Sequence, residues 1–512
     1  MTVSTKLLAS LPLLVVAQAS AQTDVWVDPI HGSNSSSGQL AGDAWRTVAH
    51  ALASTSAPTT VHLLPGEYGA ASGETFPLVV ESNVRLVSTD GVEATRFVPY
   101  QAGLNRVVDL RTNARMEGVE ILMSPLATLM DGVRFSGGGT MEPILRDVRI
   151  VGGGTGIDGY GNPAVFERCV FRGQSNDAVL FTAGGDLTLI DTSIESCGRN
   201  GVHTGVLYSA FGPVAVTLVR TSIVDAGDAG IVAGAWDVAA LVDIRVVDSL
   251  VARSVAAGIA TSENSFVGTI GLRVEIEGST IVGSVGDGID MAEDHHEVRL
   301  TGSIVAESGG IDFDAAVGVL DGSLVEDGSG PPASGSGAPK LAGSPRFVDP
   351  AAGDYRLRQD SPCVDTGQVA TSALDNSGQP RVVDGDYDLV PAPDMGAFEH
   401  RTLQAPPSVR FDEPFDVHVS GPVGAFSTLV VNHSGFAPVG STTPFGRLFL
   451  ASSGSYRLTP VMTDGGRPTA VTIPAFDDPA LIGTSTGLQA LTRSVLAPAG
   501  GAFSQPALVE IQ

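Results

Sequence analysis

Within positions 22–320, the densest group of titratable side chains lies between positions 287 and 314. Asp290 follows Gly288-Ile289 and Asp312 follows Gly310-Ile311, with Asp287 just ahead of the first pair and Asp314 two residues past Asp312. If the two Gly-Ile pairs are equivalent points of a stacked repeat, Asp290 and Asp312 project side by side, about 4.8 Å apart. Carboxylates that close repel unless they share a proton or a cation. Three readings follow: a calcium ion held by Asp287, Asp290, Asp312 and Asp314, a retaining glycosidase pair with one nucleophile and one acid/base, or a solvated acidic face. The spacing is that of any two neighbouring strands, so it does not choose among them.

A second run, Asp384-Gly-Asp-Tyr-Asp388, places an oxygen ligand at every second residue, as calcium loops do. Leu389 and Met395 at the sixth and twelfth positions exclude an EF-hand, leaving a different calcium turn on Asp384, Asp386 and Asp388, with Asp394 as a further candidate donor. Chemistry that begins by abstracting a proton needs a base. The only lysines are Lys6 and Lys340, and nothing sets Arg253 or Arg299 apart from surface arginines. His31, His50, His62 and His203 lack ligand spacing and read as packing or surface residues. No Gly-rich phosphate loop opens a helix, so no nucleotide cofactor is expected.

These residues sit in a repeat. It runs Leu145-Arg-Asp-Val-Arg-Ile150, Phe166-Glu-Arg-Cys-Val-Phe171, Leu189-Ile-Asp-Thr-Ser-Ile194, Leu218-Val-Arg-Thr-Ser-Ile223, Val246-Val-Asp-Ser-Leu-Val251 and Ile276-Glu-Gly-Ser-Thr-Ile281. A shortened copy is anchored on Ile304. Each anchor is followed six or seven residues later by Gly-Ile or a close variant. Copies roughly 21 to 30 residues apart are solenoid coils. Short β-branched strands between Gly, Asp and Ser turns, without a 3.6-residue period, predict a parallel β-helix. Asp147, Asp191 and Asp248, with Thr192, Thr221, Ser249 and Ser279, should align as a ladder at one bend. Cys169 and Cys197 fall at different offsets, which predicts unpaired interior thiols.

Composition agrees. Of 512 residues 43% are hydrophobic and 17% charged, too apolar for disorder, and 63 Gly with 31 Pro favour turn-rich β structure over long helices. A net charge of -27 opposes a nucleic-acid or anionic-membrane partner. Lys6, the apolar run Leu7 to Ala17 and Ala19-Ser-Ala21 predict a signal peptide over 1–21, hence export, and no later stretch is long and apolar enough to span a membrane in the mature chain.

Val25-Trp-Val-Asp-Pro-Ile-His-Gly-Ser33, Ala44-Trp-Arg-Thr-Val-Ala-His-Ala-Leu52, Leu64-Pro-Gly-Glu-Tyr68 and Gly73-Glu-Thr-Phe-Pro-Leu78 resemble the opening of secreted bacterial right-handed β-helix proteins of the pectate-lyase-like superfamily. That resemblance implies an amphipathic helix over Trp45 to Leu52 capping the first coil, and Asp43 is the expected N-cap. Pectate lyases of this kind use a lysine base, whereas Lys340 lies in a Gly/Ser/Pro-rich stretch; the paired-aspartate, Gly-His-Gly and Arg-Ile-Lys signatures of polygalacturonases are absent. Phe347-Val-Asp-Pro350, Asp354-Tyr-Arg-Leu357, Ser361-Pro-Cys-Val-Asp-Thr-Gly367 and Asp394-Met-Gly-Ala-Phe-Glu399 resemble a choice-of-anchor Q region, which implies surface retention and is expected to finish the solenoid and seal its far end.

The reading is therefore an all-β chain. It comprises a signal peptide (1–21), a right-handed parallel β-helix with an N-terminal capping helix (22–320), a linker (321–345), the anchor-like segment (346–400) and an antiparallel β-sandwich-like C-terminal domain (401–512), where alternating apolar residues are broken by turns. The expected partner is a polysaccharide or cell-surface glycan, with calcium as the one candidate ion. A polysaccharide lyase or glycoside hydrolase, and a purely adhesive solenoid, stand as alternatives.

Overall fold

The computed structural model describes residues 23–512 apart from 57, 102, 136–142, 162, 183, 207–213, 236–240, 264–270, 292–295, 316, 328–342, 368–371, 387–389, 407, 422–424, 433–435, 444–445, 451–454, 459, 464–467, 477–478, 495–501 and 505–506. The expected signal peptide, Asp388 and most of the linker lie outside the described residues.

Successive coils stack into three parallel sheets of twelve, ten and eleven strands, a right-handed parallel β-helix. Register follows the repeat. Ile150, Phe171, Ile194, Ile223, Val251 and Ile281 pair in turn along the eleven-stranded sheet, and all are buried. Leu145, Phe166, Leu189, Leu218, Val246 and Ile276 form an equivalent row in the twelve-stranded sheet. Alternate residues along a strand face opposite ways, so each coil gives one set to the interior and the other to the surface. The shortened copy is anchored on Val305, not Ile304, and one more coil follows it, with Val325 next in the row on the strand Leu324–Val325.

The expected ladder resolves into two adjacent columns at one bend. Inside, Thr221 N–H donates to Ser249 Oγ (3.0 Å), Ser249 N–H to Ser279 Oγ (3.1 Å), Ser279 N–H to Ser303 Oγ (3.2 Å) and Ser303 N–H to Ser323 Oγ (3.1 Å). These hydroxyls pair amides that the bend leaves without a strand partner, where an unpaired buried amide costs about 1–3 kcal/mol. Cys169 occupies the same column, its N–H on Thr192 Oγ1. Both Cys169 and Cys197 are buried and unpaired, as is Cys363. The outer column holds Asp147, Arg168, Asp191, Arg220 and Asp248, all with positive φ, then Gly278, Gly302 and Gly322. Its charges pair between coils: Arg168 with Asp147 at 2.7 Å and Arg220 with Asp191 at 2.6 Å.

The capping helix is shorter than expected, Val48–Ser54, with Val48 and Ala51 in the core. Thr47, not Asp43, is its N-cap, accepting from His50 N–H. The buried carboxylate of Glu74 takes the Val48 and Ala49 amides at 2.7 and 2.9 Å. Trp45 stays outside the helix because it bridges to Val27 of the first strand, while Asp43 closes a turn with Ser37.

Among the described residues, those of 346–400 do not pack over the end of the solenoid, where they were expected to seal it. The segment lies along the side, against the outward face of the eleven-stranded sheet. Phe347, Tyr355, Leu357, Met395 and Ala397 pack on Leu250, Ala252, Val282, Ile304, Ala306 and Leu324. The reason is in the coils: their short strands read Leu-Val-Ala, Thr-Ile-Val and Ile-Val-Ala here, so every outward position but Thr280 is apolar. Beyond it, a three-stranded and a seven-stranded sheet, antiparallel except where Ser408–Val409 runs parallel to Ala507–Ile511, share a core that includes Val417, Leu429, Ile473, Leu488 and Val509.

Candidate functional site

The ten-stranded sheet presents one outward residue per coil at each level. Register gives the column Val79, Asp109, Arg134, Asp158, Leu180, His203, Val232, Ala260, Asp290, Asp314. Asp290 therefore neighbours Asp314, and the side-by-side placement of Asp290 with Asp312 is corrected. Asp312 lies two residues back, at the position Gly288 takes in the coil before: Ile289 N–H donates to Asp312 O just as Ile259 N–H donates to Gly288 O. It is buried, its carboxylate accepting from Ser308 N–H at 2.9 Å and Asp327 N–H at 3.0 Å. Asp287 likewise accepts from Ile311 N–H at 2.6 Å. Asp312 and Asp287 thus each tie backbone together, while Asp290 and Asp314 project from adjacent strands. Of the loop that follows Asp290, His296 is buried and 292–295 lie outside the described residues.

At its start the column is closed by ion pairs. Arg134 bridges Asp131 and Asp158, both at 2.8 Å, and Arg106 holds Asp109 at 3.0 Å. Burial, and next to it the charge of Asp158, push Asp131 up to about 6.

Past Leu180 the face opens into a groove of about 420 Å³. One end carries Arg199, Asn200 and His203, with Asp228 one coil on from Arg199, the other Asp287 and Asp290, and the floor between is mostly small side chains such as Ala257 and Ala260. Behind the first end, Asp177 is buried. Its carboxylate meets His203 Nδ1 at 3.1 Å and accepts Asn200 N–H at 3.0 Å and Nδ2–H at 2.8 Å. Burial opposes its ionisation, yet the bonds from His203 and Asn200 win and hold Asp177 below the usual carboxylate range. An ionised Asp177 fixes the proton of a neutral imidazole on Nδ1, making Nε2 the basic nitrogen. His203 and Asp290 are three strands apart, about 14 Å at one strand spacing per coil. They cannot serve one bond together; the groove has two separate polar ends.

Sequence reading missed the His203–Asp177 pair. It followed the column one residue after each Gly-Ile, whereas Asp177 lies on the column three residues earlier, one coil before His203.

A third group lies on segment 346–400. Carboxylate oxygens of Asp365, Asp384 and Asp386 all fall within 4.8 Å of one another. Asp365, two turns earlier in the chain, holds the loop by accepting from Gly385 and Asp386 N–H at 2.9 and 2.8 Å. Burial, opposed by those bonds, and the charges of Asp386 and Asp384 push Asp365 up to about 6. The sequence-predicted Asp384 and Asp386 are thus brought together with an aspartate the sequence did not single out.

A family model described as a protein of unknown function, DUF1565, matches residues 30–96, the cap and first coils. No curated protein matches the chain. Among solved structures the chain is similar to the A-module of the Azotobacter vinelandii mannuronan C-5 epimerase AlgE4, with 14% identity over 58% of this chain and 93% of that one and a TM-score of 0.36. It is similar to a rhamnogalacturonan lyase at 14% identity over 68% and 97%, TM-score 0.48. A further likeness is to the tailspike protein gp49 of Acinetobacter baumannii bacteriophage Fri1, a capsular polysaccharide depolymerase, at 11% identity over 87% and 78%, TM-score 0.27.

Proposed function

We propose that this is an exported β-helix protein that associates with polysaccharide along the groove of the ten-stranded sheet. The observation that carries the reading is the groove itself: a floor mostly of small side chains, flanked by polar groups and running along the stack. A saccharide chain offers the complementary surface, apolar C–H faces flanked by hydroxyls, and convergent polar groups on a shaped apolar floor are how such sites fix orientation. Export rests on the N-terminal sequence, and retention at the cell surface on the resemblance of 346–400 to an anchor region.

A catalytic version of the same site is favoured by one specific feature, the imidazole of His203 held by a buried carboxylate, which is how a general base is oriented. Asp290 and Asp314 supply neighbouring carboxyls at the other end. The test is retention of a panel of neutral and acidic glycans by the wild-type chain, with new reducing ends and unsaturated products followed in parallel. His203→Ala and Asp290→Asn/Asp314→Asn should each weaken retention about tenfold, the loss of one or two net hydrogen bonds. Retention unchanged in both variants, or no glycan retained, overturns the reading. Turnover lost in His203→Ala with retention largely kept would make the protein an enzyme.

We further propose that Asp365, Asp384 and Asp386 hold a calcium ion that stabilises the outer layer. Three convergent carboxylates, two on one loop and one on the turn that holds it, are the hard oxygen donors such an ion takes.

A further inference from the structure

The outer bend column breaks its own rule at Gly278. Up to that point each aspartate is answered by an arginine one coil on: Asp147 by Arg168, Asp191 by Arg220. Asp248 should be answered at position 278, where the chain has glycine. The answering charge comes instead from segment 346–400. Arg381 Nε lies 3.2 Å from Asp248 Oδ1 and 3.4 Å from Glu399 Oε1, with all three side chains at most 2% exposed. Its Nη2 donates to the carbonyls of Gly396 (2.6 Å), Gly278 and Asp394 (both 3.3 Å). A Cβ at position 278 would sit 2.6 Å from that Nη2, so the glycine is the space the guanidinium fills. The backbone there does not itself demand glycine: φ is 53° at Gly278, against 52° at Arg168 and 46° at Arg220.

We infer that segment 346–400 is a displaceable clasp, locked by Arg381 standing in for the missing arginine of the bend column, and that its release uncovers an apolar strip on the last coils. The strip is the row that now meets Phe347, Tyr355 and Met395, namely Leu250, Ala252, Val282, Ile304, Ala306 and Leu324. The solenoid does not need the clasp for its own interior, because the inward rows form a separate core. The clasp needs the solenoid, since its apolar side chains pack on those coils and Ala397 and Gly396 N–H donate to Thr280 Oγ1 and Gly302 O, both at 2.9 Å.

Two variants of the full chain test this from opposite sides. Arg381→Met removes the lock, leaving Asp248 buried without its cation. Gly278→Arg restores the column's own arginine, which competes for Asp248. In both, tryptic cleavage at Arg356 and Arg358 should accelerate by at least ~100-fold, the scale of breaking a buried ion pair. Binding of a dye specific for exposed apolar surface should rise with it, while the main thermal transition of the solenoid and glycan retention by the groove stay as in the wild type. Asp248→Asn combined with Arg381→Met removes both charges and should bring cleavage back towards the wild-type rate. Unchanged cleavage in Gly278→Arg and Arg381→Met, or loss of the solenoid in the same transition as the clasp, overturns the inference.

Discussion

The ten-stranded and eleven-stranded sheets are made by the same coils, yet their outward faces end differently. Both begin with cross-coil ion pairs: Arg134 between Asp131 and Asp158 on one, Arg96 and Arg149 around Glu120 on the other. Past the middle, the eleven-stranded face turns largely apolar and is covered by a second layer, whereas the ten-stranded face keeps His203, Asp287 and Asp290 around an open groove. An interior row requires only apolar side chains of matching size, so the outward residues vary freely from coil to coil. The solenoid is a neutral frame on which one side is adapted for cover and another for contact.

The largest blow to the comparison should come from the shared interior. Phe171 is fully buried and packs against Phe166, so Phe171→Ala should cost about 3–5 kcal/mol. Both faces should suffer together, seen in calorimetry as a lowered main transition with weaker glycan retention. A change confined to one face would mean the two sheets are less coupled than their common core implies.

A smaller effect should separate the faces. Calcium at 100 times its dissociation constant should raise the stability of the covered side by about 2.7 kcal/mol, followed as slower proteolysis of 346–400. Asp365→Asn should abolish that gain without touching the groove. Calcium protection that survives the substitution would place the ion elsewhere.

The smallest expected effect concerns the closed start of the ten-stranded face. Asp131 is raised to about 6 in the folded chain from an ordinary value of 3.8, so the folded state holds its proton more tightly. Its contribution is complete below the unfolded value and is lost as pH rises through about 6. Thermal stability should therefore slope gently downward between about pH 4 and 6, and Asp131→Asn should make that slope shallower, leaving the share that Asp365 contributes; an unchanged slope would mean that Asp131 is not held this way.

Much of this was legible in the sequence because a stacked repeat puts like positions in register. The anchors from Ile150 to Ile281 and the hydroxyl ladder followed from spacing alone. The last coil did not, because its Gly310-Ile311 imitates the repeat two residues early. Counting seven residues from Val305 instead of six from Ile304 would have put Asp312 in the glycine column and Asp314 beside Asp290. The cover on the eleven-stranded face comes from residues a hundred positions away, which no local pattern states, although the largely apolar triplets from Leu250 onward and the glycine at 278 were its traces. His203 looked solitary because its partner Asp177 lies one coil back and on another column.

The hydroxyl ladder has one last consequence. Because Ser249 and Ser279 occupy identical stations 30 residues apart, excising Ser249 through Gly278 would splice Asp248 directly onto an equivalent serine. The molecule behaves as a ruler with removable graduations, and taking one away would shorten the distance between His203 and Asp290 by a single notch while every remaining rung found its mate.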